Sequence, residues 1–332
     1  MNSKAMRSNF LLTLTALIWG TAFVAQSVGM DYVGPFTFLA SRNFIAVIVL
    51  LPLIKIMSSG KKKDPDRILK ETASGKVMSP ADGNVNGYAK DTSEHDENAK
   101  GTKFLVIGGI ACGTILCIAS SFQQVGIAHT TVGKAGFLTA MYILIVPLLG
   151  LFVKKKVPLK VWISVAIAIA GLYLLCMTES LRLSFGDTMV IICAFCYSLH
   201  ILVIDYFSPH VDGVKLSCIQ FLTCGILSLI MALIFESPSI SSLILAWMPI
   251  LYAGALSSGV GYTLQVVAQK DTDPVIASLL MSLESAFALL AGWVILGQRL
   301  SSKELFGCLL MFAAIMLAQI PVEKWFGKDA KS

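Results

Sequence analysis

Apolar residues fall in long, nearly unbroken runs along this chain, and polar residues collect between the runs. A helix of about 20 apolar residues crosses the hydrocarbon core of a bilayer. Ten runs approach or exceed that length, with approximate bounds 9–29, 34–57, 103–124, 130–152, 157–178, 184–206, 213–236, 244–268, 274–296 and 302–321. The pattern predicts an all-α polytopic membrane protein with ten transmembrane helices.

Lysine and arginine are distributed unevenly between the two sides of these predicted spans. Of the 26 cationic residues, 21 lie on one side, three (Arg182, Arg299 and Lys303) lie on the other, and two lie within spans. Cationic loops resist translocation, so the richer side is predicted to be cytoplasmic, with both termini on it. The net charge of +6 therefore indicates topology, and no nucleic-acid partner is predicted.

The composition agrees with this class and disfavours several others. The chain is 56% hydrophobic and 14% charged, and its eight cysteines all lie in apolar runs, so neither a disulfide framework nor a metal site is predicted. The sequence has no Gly-x-x-x-x-Gly-Lys-Ser/Thr phosphate loop and neither of the motifs His-Glu-x-x-His and Gly-x-Ser-x-Gly. We therefore expect no ATP-driven pump, no enzyme and no cofactor.

The second part of the chain weakly repeats the first. A shift of 142 residues places Gln123 on Gln265 and Tyr142 on Glu284, so that the third to fifth spans match the eighth to tenth. A repeat of five spans is odd in number, and its second copy must enter the membrane from the opposite side. The sequence therefore predicts two inverted five-helix repeats, an architecture of secondary transporters that bind substrate near the bilayer midplane.

The repeat defines the predicted domains. The first five-helix unit is 1–178, the second is 179–321, and 322–332 is a cytoplasmic tail. The first unit contains a polar cytoplasmic insert, 59–102, with 8 cations and 8 anions in 44 positions. This composition is typical of disordered or loosely ordered chain.

Short motifs in these spans resemble a known family in order and spacing. They are Ala16-Leu-Ile-Trp19-Gly-Thr-Ala-Phe23, Ala40-Ser-Arg42, Lys134-Ala-Gly-Phe137, Val146-Pro147-Leu148, Tyr262-Thr-Leu-Gln265, Ser282-Leu-Glu284-Ser-Ala-Phe287 and Leu296-Gly-Gln-Arg299-Leu300. The chain is thereby similar to the EamA-type carriers of the drug/metabolite transporter superfamily. The resemblance implies a ten-helix secondary carrier for small metabolites, usually an exporter, with a cavity lined by the first, third, fourth, sixth, eighth and ninth spans.

The chain departs from the family pattern in the ninth span. Many relatives have Glu-Pro where this chain has Glu284-Ser285, so this span is expected to lack a kink. In the fourth span Pro147 removes a backbone donor and is expected to kink the helix near Tyr142.

Ionisable residues within spans are the strongest candidates for function, because a charge in hydrocarbon is costly. Glu284 lies in the middle of its run, where it would bind a proton or a substrate cation, or else tie helices together. Arg42 would bind an anion or serve structure in a second span that can lie outside the core. Lys134 would bind substrate or extend toward the interface. His200 would relay protons or bond between helices.

Uncharged residues complete the candidate set. Tyr142 is the repeat mate of Glu284, and Gln123 and Gln265 are mates whose amides need partners across helices or in a wet cavity. Aromatic residues would form a wall for the substrate, or else serve packing and anchoring at the membrane interface. They are Trp19, Phe23, Tyr142, Tyr197 and Tyr262.

These observations predict a secondary active transporter that works by alternating access. Its substrate would be a small metabolite of the amino-acid, nucleoside or drug-like amine class, and its location a plasma membrane, specifically a bacterial inner membrane. Lipid and substrate are the expected partners, and a homodimer is possible. The alternative is a membrane-embedded lipid-handling enzyme in which Glu284, Arg42 and His200 act on a headgroup. A carrier needs an enclosed midplane cavity, whereas such an enzyme needs polar groups near an interface.

Overall fold

The structure is a computed structural model that describes residues 3–61, 87–152, 159–176, 184–299 and 301–319. The prediction of an all-α protein is confirmed, since these residues contain no strand. A π-helical segment, Tyr252–Tyr262, follows the tenth α-helix. The α-helices are α1 Ser3–Gly29, α2 Pro35–Lys61, α3 Gly87–Ile127, α4 Val132–Thr139, α5 Tyr142–Phe152, α6 Leu159–Cys176, α7 Phe185–Phe207, α8 Gly213–Phe235, α9 Ile240–Leu245, α10 Trp247–Leu251, α11 Thr263–Gln269, α12 Pro274–Met281, α13 Glu284–Leu296 and α14 Ser302–Gln319.

Helical stretches long and apolar enough to cross a membrane occupy seven of the predicted runs. They are Met6–Gly29, Pro35–Ile56, Gly101–Ile127, Val132–Gly150, Phe185–His210, Gly213–Phe235 and Trp247–Gln269. Shorter apolar helices lie in the other three runs, at Trp162–Gly171, Glu284–Leu296 and Leu305–Ala314. The chain is a multi-pass membrane protein, and the total of ten crossings stays a prediction.

The fourth and ninth predicted spans are interrupted at equivalent positions. In the fourth, α4 ends at Thr139 and α5 begins at Tyr142; in the ninth, α12 ends at Met281 and α13 begins at Glu284. The 142-residue shift found in the sequence relates both pairs of bounds. Tyr142 and Glu284 are therefore each the first residue of a new half-helix.

At both breaks a backbone N–H bonds to the carbonyl three residues back instead of four. Ile143 N donates to Ala140 O over 3.0 Å, and Ser285 N donates to Ser282 O over 3.1 Å. The expectation that the ninth span lacks a kink is therefore wrong. Proline is not required, because the Ser285 hydroxyl also donates to Ser282 O over 2.7 Å, and such bonds bend helices. The fourth span breaks, as expected, just before the half-helix that contains Pro147.

The eighth predicted span also departs from regular helix. Its middle is the π-helical segment Tyr252–Tyr262, whereas the matching part of the third span belongs to the continuous helix α3. The π-helix is rare, usually only one turn long, and frequently found at functional sites. The two halves of the protein therefore differ in backbone as well as in side chains.

Part of the predicted polar insert is helical. Residues 62–86 and the tail lie outside the described residues, but α3 begins at Gly87, so 87–102 continue the third span as one helix. This corrects the expectation of loosely ordered chain for those residues. Nucleation is the costly step of helix formation, and the apolar span supplies a formed helix that polar residues can extend.

The first span is packed on several sides by the second half of the chain. Helix α1 contacts α11, α12, α13 and the π-helical segment. Its contact with α13 is closest at Gly20, where a Cβ would lie 2.4 Å from Phe287 Cβ and 2.7 Å from Glu284 O. Glycine at this position therefore allows α1 to lie directly against the start of α13.

Gly20→Ala is expected to lower the free energy of unfolding by about 1 to 3 kcal/mol, the usual effect of overpacking. The change would appear as a lower midpoint of thermal unfolding in detergent. Gly101→Ala is the matched control, because a Cβ at Gly101 meets no atom within 4 Å. Equal stability of the two variants would contradict the close packing of α1 on α13.

Candidate functional site

A cavity lies among the central turns of the spans. It is narrow, with room for about two water molecules. Trp19, Tyr197 and Glu284 on its wall each lie near the middle of a predicted span. The lining residues are Trp19, Phe23, Gln26, Arg42, Gln123, Thr139, Tyr142, Tyr197, His200, Ile201, Ser257, Tyr262, Gln265, Met281 and Glu284.

Eight of the nine candidate residues from the sequence are brought together here. Arg42 is among them and is 2% exposed, so the second span belongs to the cavity wall and does not lie outside the core as expected. Lys134 is not on the wall. It lies half-buried in the first turn of α4, where its backbone N donates to the capping Thr131 hydroxyl over 3.4 Å. Binding of a substrate by the eight residues stays a prediction.

Arg42 is held at the cavity by neutral partners. Its Nη1 donates to Gln26 Oε1 over 2.8 Å, and its Nη2 donates to Ser120 Oγ over 3.4 Å. Its Nε has no hydrogen-bond partner within the described parts of the chain, nor does any carboxylate there form a salt bridge with it. A buried guanidinium without a counter-charge is a ready site for an anion.

A chain of hydroxyl and amide groups leads away from Arg42 along the wall. Ser120 Oγ lies 3.2 Å from the Tyr197 hydroxyl, which donates to Gln123 Oε1 over 3.1 Å. Gln123 Nε2 then donates to Thr139 Oγ1 over 3.3 Å. Tyr197 also accepts a hydrogen bond from the Tyr262 hydroxyl over 3.0 Å. These bonds fix the orientation of the polar wall.

Glu284 supplies the only carboxyl group among the cavity-lining residues. It is 3% exposed, and its Oε1 has no hydrogen-bond partner among residues that the structure describes. The Tyr142 hydroxyl interacts with the Glu284 carboxyl and has no other partner within those residues, where Gln265 Oε1 also lacks one. Buried polar atoms are usually paired, so the Glu284–Tyr142 pair and the Gln265 amide offer hydrogen-bonding groups to a ligand or water.

Aromatic rings line the same cavity as Arg42 and Glu284. The rings of Trp19 and Tyr262 pack with centroids 4.5 Å apart, and Tyr262 interacts electrostatically with both Arg42 and Glu284. His200 lies edge-on to Tyr262, with ring centroids 6.1 Å apart. Tyr262 thus lies close enough to both charged groups to interact with each.

Two of these rings are fixed by hydrogen bonds to neighbouring helices. Trp19 Nε1 donates to Ser257 O in the π-helical segment over 3.3 Å. His200 Nε2 lies 3.2 Å from Gln220 Oε1 of α8, and its Nδ1 has no partner in the described chain. These bonds connect α1 to the π-helical segment and α7 to α8 at the cavity.

Sequence reasoning missed three polar members of the wall. Gln26 follows Phe23 by nearly one turn of α1 and orients Arg42, so an amide inside an apolar run was an available signal. Thr139 and Ser257 carried no such signal, because Thr and Ser are common within transmembrane helices. Their roles depend on the helix break after α4 and on the π-helical segment.

No group of three or more His, Cys, Asp or Glu side chains that could hold a metal ion occurs in the described ranges. The cavity has one carboxyl group and one histidine in its lining, which is too few for a typical protein metal site.

Comparison with known proteins assigns this fold to a family. A family model described as the EamA-like transporter family matches residues 6–76 and 184–319, more than half of the chain. The chain belongs to the EamA-like transporter family. With its apolar helices, this membership identifies a membrane transporter, as the sequence motifs predicted.

The EamA-like chain is also similar to an individual protein and to a solved structure. It is 25% identical over 321 residues to an uncharacterized transporter from Archaeoglobus fulgidus, covering 96% of this chain and 88% of the relative. It also matches a protein of known crystal structure with a TM-score of 0.65 and 16% identity, over 96% of this chain and 99% of the other. The second similarity shows the fold alone.

Proposed function

We propose that this EamA-like transporter is a secondary carrier that exports a zwitterionic metabolite of the amino-acid class. The observation that carries the proposal is the pair of charged groups on one narrow cavity. Arg42 lacks a carboxylate partner and Glu284 has an unpartnered oxygen, both within the described residues. A substrate that brings one carboxylate and one ammonium group completes both.

The charges favour an amino acid over the other two substrate classes. A guanidinium binds a carboxylate through strong, charge-assisted hydrogen bonds, and a carboxylate does the same for an ammonium group. The aromatic faces of Trp19 and Tyr262, which line the same cavity, attract a cation. A nucleoside is neutral and a simple amine carries no anion, so each leaves Arg42 uncompensated.

Glu284 also offers a way to couple transport to protons. A single carboxyl binds either a proton or the substrate ammonium group, and binding of one excludes the other. Release of the substrate on the outer side lets a proton bind, and return of the protonated carrier brings that proton inward. Exchange of one substrate for one proton follows.

Alternating access is supported by the two broken spans. The half-helices α5 and α13 begin with Tyr142 and Glu284, so the breaks lie at the cavity itself. Transporters built from inverted repeats commonly bind substrate at discontinuous helices between their halves. Movement of one half-helix at each break would open the cavity to either side.

The alternative of a lipid-handling enzyme is less well supported. Such an enzyme needs its polar groups near a membrane interface and open to lipid. Arg42, His200 and Glu284 are instead 1 to 3% exposed and enclosed by helices. The enclosed geometry favours a carrier, as does the family.

The proposed topology has both termini on the cytoplasmic side of a bacterial cell membrane. A cysteine introduced at Ser93, in the polar insert, is expected to stay unlabelled by an impermeant thiol reagent in intact cells and to react after permeabilisation. A cysteine at Asp31, in the short connection after α1, is the matched outside position. Labelling of the Ser93 variant in intact cells would show that the insert is outside and would contradict the proposed orientation.

The substrate class is tested with purified protein in liposomes loaded with a pH-sensitive dye. Pools of amino acids, nucleosides and small amines are added in turn, and proton flux is recorded. We expect the amino-acid pool to evoke flux and the other two to evoke none. A response to nucleosides or amines alone would contradict the proposed substrate.

A further inference from the structure

Two buried cysteines lie together outside the cavity, one on α3 and one on α8. Cys117 Sγ is 3.6 Å and Cys224 Sγ is 4.0 Å from the same hydroxyl, that of Ser228. The two thiols also interact directly with each other. Neither residue lines the cavity, so transport as proposed above does not use them.

The backbones of α3 and α8 approach closely along a seam that leads to this pair. A Cβ on Gly113 would lie 2.5 Å from Gln220 O and 2.6 Å from Thr223 Cβ. Four residues beyond Gly113 is Cys117, and four residues beyond Gln220 is Cys224. A disulfide needs Cα atoms about 4.4 to 6.8 Å apart, and a glycine contact one turn away brings two helices near that separation.

The cysteine pair is connected to the Arg42 end of the cavity from two sides. On α2, Asn43 follows Arg42 in sequence, and its Nδ2 donates to Cys224 Sγ over 3.3 Å. On α3, Ser120 lies one turn beyond Cys117 and accepts from Arg42. A covalent change at the thiols therefore acts on both helices that position the guanidinium.

We propose that Cys117 and Cys224 form a modification site that a lipid-soluble hydroperoxide converts to a disulfide between α3 and α8. The first thiol attacks the peroxide, the O–O bond breaks, and a sulfenic acid and an alcohol are formed. The second thiol attacks the sulfenic sulfur, the S–S bond forms and water leaves. Two sulfur atoms are oxidised by one electron each, and the peroxide takes up both electrons.

The bond is expected to hold the Arg42 end of the cavity in one arrangement and so to slow transport. Helix α3 belongs to the first half of the chain and α8 to the second, so any relative movement along their seam would be blocked. This consequence rests on the proposed function, whereas formation of the disulfide does not.

The test uses the full chain in liposomes treated with cumene hydroperoxide, followed by non-reducing peptide mapping by mass spectrometry. We expect a cross-linked peptide that joins Cys117 to Cys224 and disappears on reduction. Both Cys117→Ser and Cys224→Ser should lack it, so that failure of one variant to fold does not prevent the test. The variant with Cys193→Ser and Cys196→Ser, a pair within one helix, should keep it. Absence of the cross-link in the wild type would overturn the proposal.

Transport in the same liposomes tests the consequence. Amino-acid flux should fall at least about tenfold on oxidation, recover on reduction, and be insensitive to oxidation in Cys224→Ser. A cross-link that forms without changing flux would overturn the coupling to the cavity. If untreated wild type carries no amino acid, the proposed function fails, and the peptide map still decides whether the disulfide forms.

Discussion

Glu284→Gln is expected to lower substrate-evoked proton flux about 100-fold, to the background of empty liposomes. Removing one partner of a buried, hydrogen-bonded charge pair costs about 2 to 5 kcal/mol, and each 1.4 kcal/mol is tenfold. Glutamine keeps the size of the side chain and can still donate to Tyr142. It offers no charge to an ammonium group and does not exchange a proton, so both binding and coupling are lost. The measurement is dye-reported proton flux evoked by the amino-acid pool.

A matched carboxylate separates this effect from a general loss of charge. Asp271 is exposed in the connection between α11 and α12 and does not line the cavity. Asp271→Asn should therefore retain wild-type flux. Elution from size-exclusion chromatography and helix content should be the same for both variants. Wild-type flux in the Glu284→Gln variant would contradict the proposed role. Glu284 would then serve only to join helices, and Lys134 and Arg42 would be the next candidates for substrate binding.

Arg42→Gln is expected to raise the KM for the amino acid about 100-fold. The substrate carboxylate would lose the guanidinium, a charged group that can donate two hydrogen bonds. Removal of one partner of a buried charge pair costs about 2 to 5 kcal/mol of binding free energy, as for Glu284. Gln26 and Ser120 would keep a polar neighbour in place of the guanidinium. Concentration dependence of amino-acid-evoked flux gives the KM.

Arg299 provides the control for Arg42. It is exposed near the end of α13 and does not line the cavity, so Arg299→Gln should leave the KM unchanged. If Arg42→Gln has the wild-type KM while Arg42→Ala fails to fold, the guanidinium serves only to join α1, α2 and α3. That result would contradict the proposal that Arg42 binds the substrate carboxylate.

Much of the fold could be predicted from apolar runs and a weak internal repeat. The shift of 142 residues placed Tyr142 opposite Glu284, and the structure makes both the first residue of a half-helix. The same shift also relates Gln123 and Gln265, which share the cavity wall. The lengths of the apolar runs and the internal repeat are properties of the sequence itself, so both could be recognised without the structure.

The features that were missed depend on local backbone geometry. The ninth span breaks without a proline because Ser285 bonds back to Ser282, an effect that the sequence pattern alone did not distinguish from ordinary helix. The carbonyl of Ser257 that accepts from Trp19 lies in a π-helical segment, which the sequence pattern did not predict. The sequence left open whether Arg42 binds an anion or serves structure, and its place on the wall follows from the packing of the second span.

The central claim is that one cavity binds both ends of a zwitterion. The most direct test compares liposome uptake of three labelled solutes: the amino acid selected by the pool experiment, the amine made by removing its carboxyl group, and the acid made by removing its amino group. We predict that the wild type carries only the amino acid, and that Arg42→Gln and Glu284→Gln each lose it. Equal uptake of the amine and the amino acid by the wild type, unchanged in Arg42→Gln, would contradict the account.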